Sequence, residues 1–364
     1  MGGTAASETV GEVDGLDAIM RLGGEQLRTR MLRTELYLEQ VTARAGAPLA
    51  SHANAMVVAG GKRLRPLLVI LAAEAAGGPV GVVGGPAAGA VGGLSNMSDG
   101  EERLVRAAAA VELVHSATLV HDDLIDGAAL RRGRPTVAAA AGRGMAVATG
   151  DLLFSRAFAE LARNGDSAQL CALSDASSAL AAGELLQRED AYATHVPVER
   201  YLRRCELKTA ALFEAACRLG ALVGAEGSPA LADALGAFAR RIGLAFQMLD
   251  DVLDVSGPVE RTGKSRGTDL LDGTVTLPFI LAREHEPQLA AFELASLSGA
   301  GAAGDRRGIE ALCERIAATG ALEEARERAL AVVAQAKAAL PAILPDGRAA
   351  LLDLVADAVV ERYR

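Results

Sequence analysis

The sequence predicts an all-α protein. Hydrophobic residues make up 51% of the 364, yet only 3% are aromatic and there is no Trp. A core drawn from Ala, Leu and Val suits closely packed helices better than β-sandwiches. Apolar residues recur at helical spacing along most of the chain, and the alternation expected of strands is nearly absent. The 40 glycines fall largely in a few clusters outside the periodic segments. No composition shift marks a second domain, so a single helical bundle is expected.

Taken in order, Met1 to about Asp17 is small, polar and weakly patterned, a disordered tail before a domain spanning 18–364. Leu16 to Ala45 reads as helical, with Ile19, Met20, Leu27, Leu32, Leu36 and Leu38 recurring among charges. A helix follows over Leu64 to Ala76, with Pro66 tolerated in its first turn. Residues 77–100 are rich in Gly, Val, Ala and Pro with no period that buries a face, and read as a flexible loop insertion. Helical patterning resumes at Glu101 and runs, with short breaks, to about Arg188. Further helices are expected over Val198–Val223, Ala230–Val255, Thr276–Glu284, Arg307–Leu340 and Asp346–Tyr363.

Several function classes are excluded at this level. A formal net charge of -9 argues against a nucleic-acid binder, which would carry a basic surplus. It leaves room for an anionic substrate held by a local basic cluster. Cys171, Cys205, Cys217 and Cys313 are widely spaced with no C-x-x-C pair, which points to buried free thiols in a reducing cytosol rather than zinc. The N-terminus lacks the basic and apolar stretches of a signal peptide. The longest uncharged run, Ala75 to Ser98, is broken by Gly and Pro and makes a poor membrane helix.

Chemistry concentrates in two acidic clusters, Asp122-Asp123-Leu124-Ile125-Asp126 and Asp250-Asp251-Val252-Leu253-Asp254. In each, the first and last aspartates stand at i and i+4, on one helix face about one turn apart. Like charges at that spacing destabilise a bare helix. Hard divalent cations remove the penalty: Mg²⁺ takes oxygen ligands, usually one or two protein carboxylates with phosphate and water completing the shell. Both clusters follow apolar runs, Val111–Val120 and Ile242–Leu249, so they end core-like helices rather than decorate solvated faces. Neither shows the alternating acidic loop of a calcium site.

Basic residues answer them. Gly60-Gly61-Lys62-Arg63-Leu64-Arg65-Pro66 sets three cations around a helix start, where free N–H groups and the dipole favour an anion. Arg131-Arg132-Gly133-Arg134 follows the first acidic cluster, and Arg pairs suit bidentate phosphate recognition. Lys208-Thr209 and Lys264 add further cations. Metal-binding carboxylates together with basic clusters imply substrates bearing diphosphates, two of them.

These segments, in order and spacing, resemble the trans-isoprenyl diphosphate synthases: G-G-K-R-L-R-P at 60–66, V-H-S-A-T-L-V-H-D-D-L-I-D at 114–126, R-R-G-R-P-T at 131–136, K-T at 208–209, F-Q-M-L-D-D-V-L-D at 246–254 and G-K-S-R-G-T-D-L at 263–270. The resemblance covers roughly Leu16 to the C-terminus. It implies an isoprenoid synthase helical bundle, a cytoplasmic homodimer, joining isopentenyl diphosphate to an allylic diphosphate with Mg²⁺. It also implies residue roles. Lys62, Arg65, His115 and Arg132 would bind isopentenyl diphosphate. Arg131, Lys208 and Lys264 would hold the allylic diphosphate, bridged by Mg²⁺ to Asp122, Asp126 and Asp250, with Asp123 and Asp254 supporting metal and water positions. Thr209 and Gln247 would turn oxygen dipoles toward the developing allylic cation. His121, Cys205 and Cys217 read as structural.

Thr274 departs from the family pattern, standing where many members carry a lysine. Product length is read from packing. Ala117 lies five positions before Asp122, about one and a half turns deeper, where short-chain members often carry an aromatic residue. Ala117 and Thr118 leave the tunnel open, with Phe154 or Phe158 as a lower floor, and a product longer than farnesyl is expected, with geranylgeranyl as the alternative. A class I terpene cyclase would not need a second full acidic cluster, and a non-catalytic subunit should lose the aspartates, all six of which are present.

Overall fold

The structure is a computed structural model that describes residues 15–79, 97–193, 195–257, 266–297, 306–344 and 347–361. Residues 1–14 of the tail expected over 1–17, most of the Gly-rich insertion (80–96) and Lys264 lie outside the described residues, whereas Gly15–Asp17, expected to be tail, open a helix.

The described chain is helical throughout its core. In order come α1 (Gly15–Leu22), α2 (Gly24–Ala43), α3 (Leu49–Val58), α4 (Leu64–Ala75) and α5 (Asp99–Ile125). A two-residue hairpin pairs Leu130–Arg131 with Arg134–Pro135. Then follow α6 (Val137–Ala141), α7 (Arg143–Ala162), α8 (Ser167–Glu189) and α9 (Val198–Cys205). One π turn, Glu206–Ala210, joins α9 to α10 (Ala211–Val223). The chain continues as α11 (Pro229–Ser256), α12 (Thr268–Leu271), α13 (Leu277–His285) and α14 (Pro287–Ala290), then α15 (Arg306–Ala318), α16 (Ala321–Ile343) and α17 (Ala350–Glu361).

At the centre, α10 packs on α4, α5, α8 and α11; α7 covers α5, and α16 covers α11. Most of α4 is buried, as its near-continuous apolar sequence requires. Small residues set the close approaches. A Cβ on Gly220 of α10 would lie 2.1 Å from the Val69 carbonyl of α4, so only glycine permits that contact.

The expected boundaries shift where local geometry intervenes. The helix read from Leu16 breaks at Gly23–Gly24, where Gly24 takes φ +65, and the first helix begins at Gly15, packed on α17. The segment read as Arg307–Leu340 divides at Gly320 (φ +83). Helix α3 has no counterpart in the sequence reading: its ten residues are mostly small and apolar and show no one-sided helical stripe. Buried Ala53 and Val57 are its anchors. Cys205, Cys217 and Cys313 are buried free thiols as expected, whereas Cys171 is exposed on α8. Among the described residues no helix is long and apolar enough to cross a membrane.

Candidate active site

Both acidic clusters end long helices. Ile125 is the last residue of α5 and Asp126 its C-cap; Asp250–Asp254 fall in the last two turns of α11. The negative pole of each helix therefore adds to its carboxylates, and the combined field calls for cations. Burial pushes Asp122 up to about 6, with Glu184 and Asp126 adding repulsion and Lys208 and Arg131 opposing it.

A cavity of about 380 Å³ lies between the ends of α5, α8, α9 and α11. Asp126, Asp250, Asp251, Asp269 and Asp272 face it together with Arg188, Arg204 and Lys208. Hard oxygen donors in such excess fit a hard divalent cation. Among the described residues no three His, Cys, Asp or Glu side chains already converge as a metal cage.

Lys208 and Thr209 stand on the π turn, a local widening of the helix found often at functional sites. Two glycines press on that turn. A Cβ on Gly183 of α8 would sit 2.7 Å from the Lys208 amide nitrogen, and one on Gly243 of α11 would sit 2.8 Å from the Ala210 Cα. Lys208 is paired with Glu184 and donates to Gln187 Oε1 at 3.2 Å. Arg188 bridges Glu184 and Asp126. Thr209 Oγ1 donates to Gln247 Oε1 at 2.7 Å, and Gln247 Nε2 donates to Asp251 Oδ1 at 2.8 Å. Burial pushes Asp251 up to about 7, with Asp269 and Asp250 adding to it against the hydrogen bonds from Tyr201 and Gln247.

A second cavity, of about 300 Å³, brings together Lys62, Arg65, His115 and Arg132, the four residues grouped from sequence. Arg65 is half-buried: its guanidinium lies 5.0 Å from the Phe213 ring centroid, and its buried Nε has no hydrogen-bond partner among the described residues. Burial lowers it to about 10, opposed by Glu112. Burial, reinforced by Arg65, Arg132, Arg131 and Arg63, holds His115 well below its ordinary value. It is therefore a neutral hydrogen-bonding imidazole at neutral pH rather than another cation. Arg132 reaches Gly61, where a Cβ would stand 3.0 Å from its Nη2. Apolar residues of α1 and α17, such as Ile19 and Val355, close one side, Phe213 and Phe246 another, and Glu112 adds a carboxylate. Asp250 lines both cavities.

Backbone strain marks the same region. The described non-glycine residues at positive φ are Arg63 (47°), Arg132 (50°) and Tyr192 (58°), and all three border these cavities. Arg63 is held by Glu35 (2.6 and 3.0 Å) and by Glu112 (2.6 Å). Its locked turn aims Lys62 and Arg65 at the cavity.

Some placements differ from the sequence grouping. Asp123 is buried and turned away from the acidic cavity, paired with Arg131 at 2.7 Å. Arg131 thus supports Asp123 and borders a third cavity, of about 310 Å³, instead of joining Lys208. Asp254 accepts from the Asp269 amide at 3.2 Å and anchors the turn before α12. Asp122 does not line the acidic cavity but lies within electrostatic reach of Lys208. His121 packs on Gly150 and lies 5.9 Å from the Phe154 ring, a structural contact between α5 and α7. Ala117 is fully buried, Thr118 Oγ1 donates to the His115 carbonyl at 2.8 Å, and Phe158 is half-buried. None of the three is among the wall residues of these cavities.

Sequence reasoning missed Glu184, Gln187 and Arg188 on α8, although their i, i+3, i+4 spacing in G-E-L-L-Q-R places them on one face. It also missed Tyr201, whose hydroxyl donates to Asp251 Oδ2 at 2.7 Å.

An all-helical bundle with two acidic helix ends facing buried cations belongs to the isoprenoid synthase class. A solved polyprenyl synthase from Caulobacter crescentus CB15, complexed with calcium and isoprenyl diphosphate, superposes with a TM-score of 0.80 at 31% identity, covering 97% of this chain and 99% of that one. The polyprenyl synthetase family model matches residues 47–312, and the chain belongs to that family. It is 39% identical over 254 residues to heptaprenyl diphosphate synthase component 2 of Geobacillus stearothermophilus, covering 70% of this chain and 72% of the relative. It is 36% identical over 311 residues to a short chain isoprenyl diphosphate synthase of Methanothermobacter thermautotrophicus, covering 84% and 88%. The chain is a prenyltransferase that extends prenyl chains. Relatives this similar differ in product length, so similarity alone does not set it.

Proposed function

We propose that the protein is a Mg²⁺-dependent polyprenyl diphosphate synthase that joins isopentenyl diphosphate head-to-tail (1′-4) to an allylic diphosphate, giving a product longer than farnesyl. The carrying observation is a cationic cavity and a carboxylate-rich cavity that share Asp250 as a wall. Two diphosphates need two unlike sites, one reading the anion directly and one through metal.

Lys62, Arg65, Arg132 and neutral His115 hold isopentenyl diphosphate, the arginines as charge and the imidazole as a directed hydrogen bond. Asp122, Asp126 and Asp250 hold the metal, which when bound supplies positive charge to the departing diphosphate. Lys208 and Lys264 add charge at the allylic diphosphate. Allylic C–O cleavage leaves a cation toward which Thr209 and Gln247 turn their oxygens. The alkene of isopentenyl diphosphate forms the new C–C bond, and its C2 proton passes to the released diphosphate, restoring a double bond. The apolar wall keeps water from the cation.

The small, buried Ala117 and its neighbour Thr118 support a long product, with Phe158 as floor, because neither presents a bulky plug. The enzyme is a cytoplasmic homodimer in this reading. Purified protein incubated with Mg²⁺, labelled isopentenyl diphosphate and farnesyl diphosphate should give labelled products beyond farnesyl. No incorporation with any allylic primer refutes the assignment, and a product that stops at geranylgeranyl selects the shorter alternative.

A further inference from the structure

Three hydrogen bonds at the edge of the acidic cavity converge on Asp251. Tyr201 donates its hydroxyl proton to Asp251 Oδ2 at 2.7 Å. Gln247 donates through Nε2 to Asp251 Oδ1 at 2.8 Å. Thr209 donates its hydroxyl proton to Gln247 Oε1 at 2.7 Å. Tyr201 is fully buried and Asp251 and Thr209 nearly so.

The direction has a chemical consequence. A carboxamide carries a donor end and an acceptor end, and turning it over exchanges them. Asp251 takes the NH₂ end of Gln247 at Oδ1 and the Tyr201 hydroxyl at Oδ2, so both of its oxygens are used as acceptors. The Gln247 oxygen must then face Thr209, and Thr209, having given its proton to that oxygen, keeps its own lone pairs for the cavity that both residues line. The hydroxyl proton of Thr209 is thus directed to the Gln247 oxygen and one Gln247 N–H to Asp251. If the amide were reversed, its N–H groups would face the cavity and repel a cation there.

We infer that Asp251 and Tyr201 are positioning residues for the condensation, fixing the acceptor orientation of Gln247 and Thr209. Asp251 sets the orientation, and Tyr201 occupies its second oxygen so that the carboxylate cannot rotate to another donor. The inference rests on the proposed role of Gln247 and Thr209 and adds to it two residues that touch no substrate.

A double-mutant cycle tests it. Wild type, Tyr201→Phe, Gln247→Ala and the double variant are assayed as full-length enzyme with Mg²⁺, farnesyl diphosphate and isopentenyl diphosphate. Melting temperatures confirm folding, and Asp251→Asn replaces Tyr201→Phe in the cycle if that variant does not fold. Loss of such an outer partner typically costs roughly ten- to a hundredfold, so Tyr201→Phe should lower kcat by about that factor, with KM for both substrates within about twofold. On the Gln247→Ala background the same change should alter kcat by less than about twofold, because the side chain it orients is gone. If the two losses multiply, or Tyr201→Phe leaves kcat intact, the positioning role is overturned while the reading of Gln247 stands. If Gln247→Ala alone keeps full kcat, the underlying reading of Gln247 fails and takes the inference with it.

Discussion

Replacing Asp122 by Asn should stabilise the metal-free protein while abolishing its activity. The native fold holds this carboxylate at about 6 against an ordinary 3.8, chiefly by burial. At about 1.36 kcal/mol per pKa unit, ionised Asp122 destabilises the fold above neutral pH by up to about 3 kcal/mol. Its partial solvent contact reduces this to roughly 1–2 kcal/mol. Because the native pKa is the higher one, the native state binds more protons between about pH 4 and pH 6, and stability falls as pH rises through that window. Below pH 4 both states are protonated and the penalty vanishes. Asn has no charge to bury. In EDTA at pH 8 the variant should therefore melt a few degrees above wild type, and at pH 4 the two should coincide. Adding Mg²⁺ with inorganic diphosphate should favour wild type and narrow or reverse the gap. A variant that melts at or below wild type at pH 8 in EDTA refutes the argument that this helix end is strained by its own charge.

Other residues yield separable outcomes. Arg63→Ala leaves buried Glu112 without its 2.6 Å partner, so stability should drop by about 3–5 kcal/mol. KM for isopentenyl diphosphate should rise while KM for the allylic substrate holds; equal rises in both would show that Arg63 does not act through the Lys62–Arg65 turn. Ala117→Phe should shorten the product, at about 1–3 kcal/mol of overpacking, and an unchanged product by chromatography sinks the tunnel argument. Thr274 faces the acidic cavity, so Thr274→Lys should lower KM for the allylic diphosphate severalfold, and an unchanged KM would mean that the position does not reach phosphate.

The reaction class was legible in the sequence because it depends on residue types at short spacing. Asp122 and Asp126 share a helix face by periodicity alone, and Lys62 and Arg65 converge by the same geometry. The all-α fold followed from apolar residues at helical spacing and a core with few aromatics. Tertiary packing decided which way each carboxylate turns. Asp123, Asp251 and Asp254 sit in the same motifs as Asp126 and Asp250, yet they bond Arg131, Tyr201 and a backbone amide. Those partners stand 8, 50 and 15 residues away, and no local pattern specifies them. The π turn under Lys208 and Thr209 is likewise set by pressure from Gly183 and Gly243 on other helices. A motif states which groups are available at a helix end, and only the neighbouring helices determine which partner each of them takes.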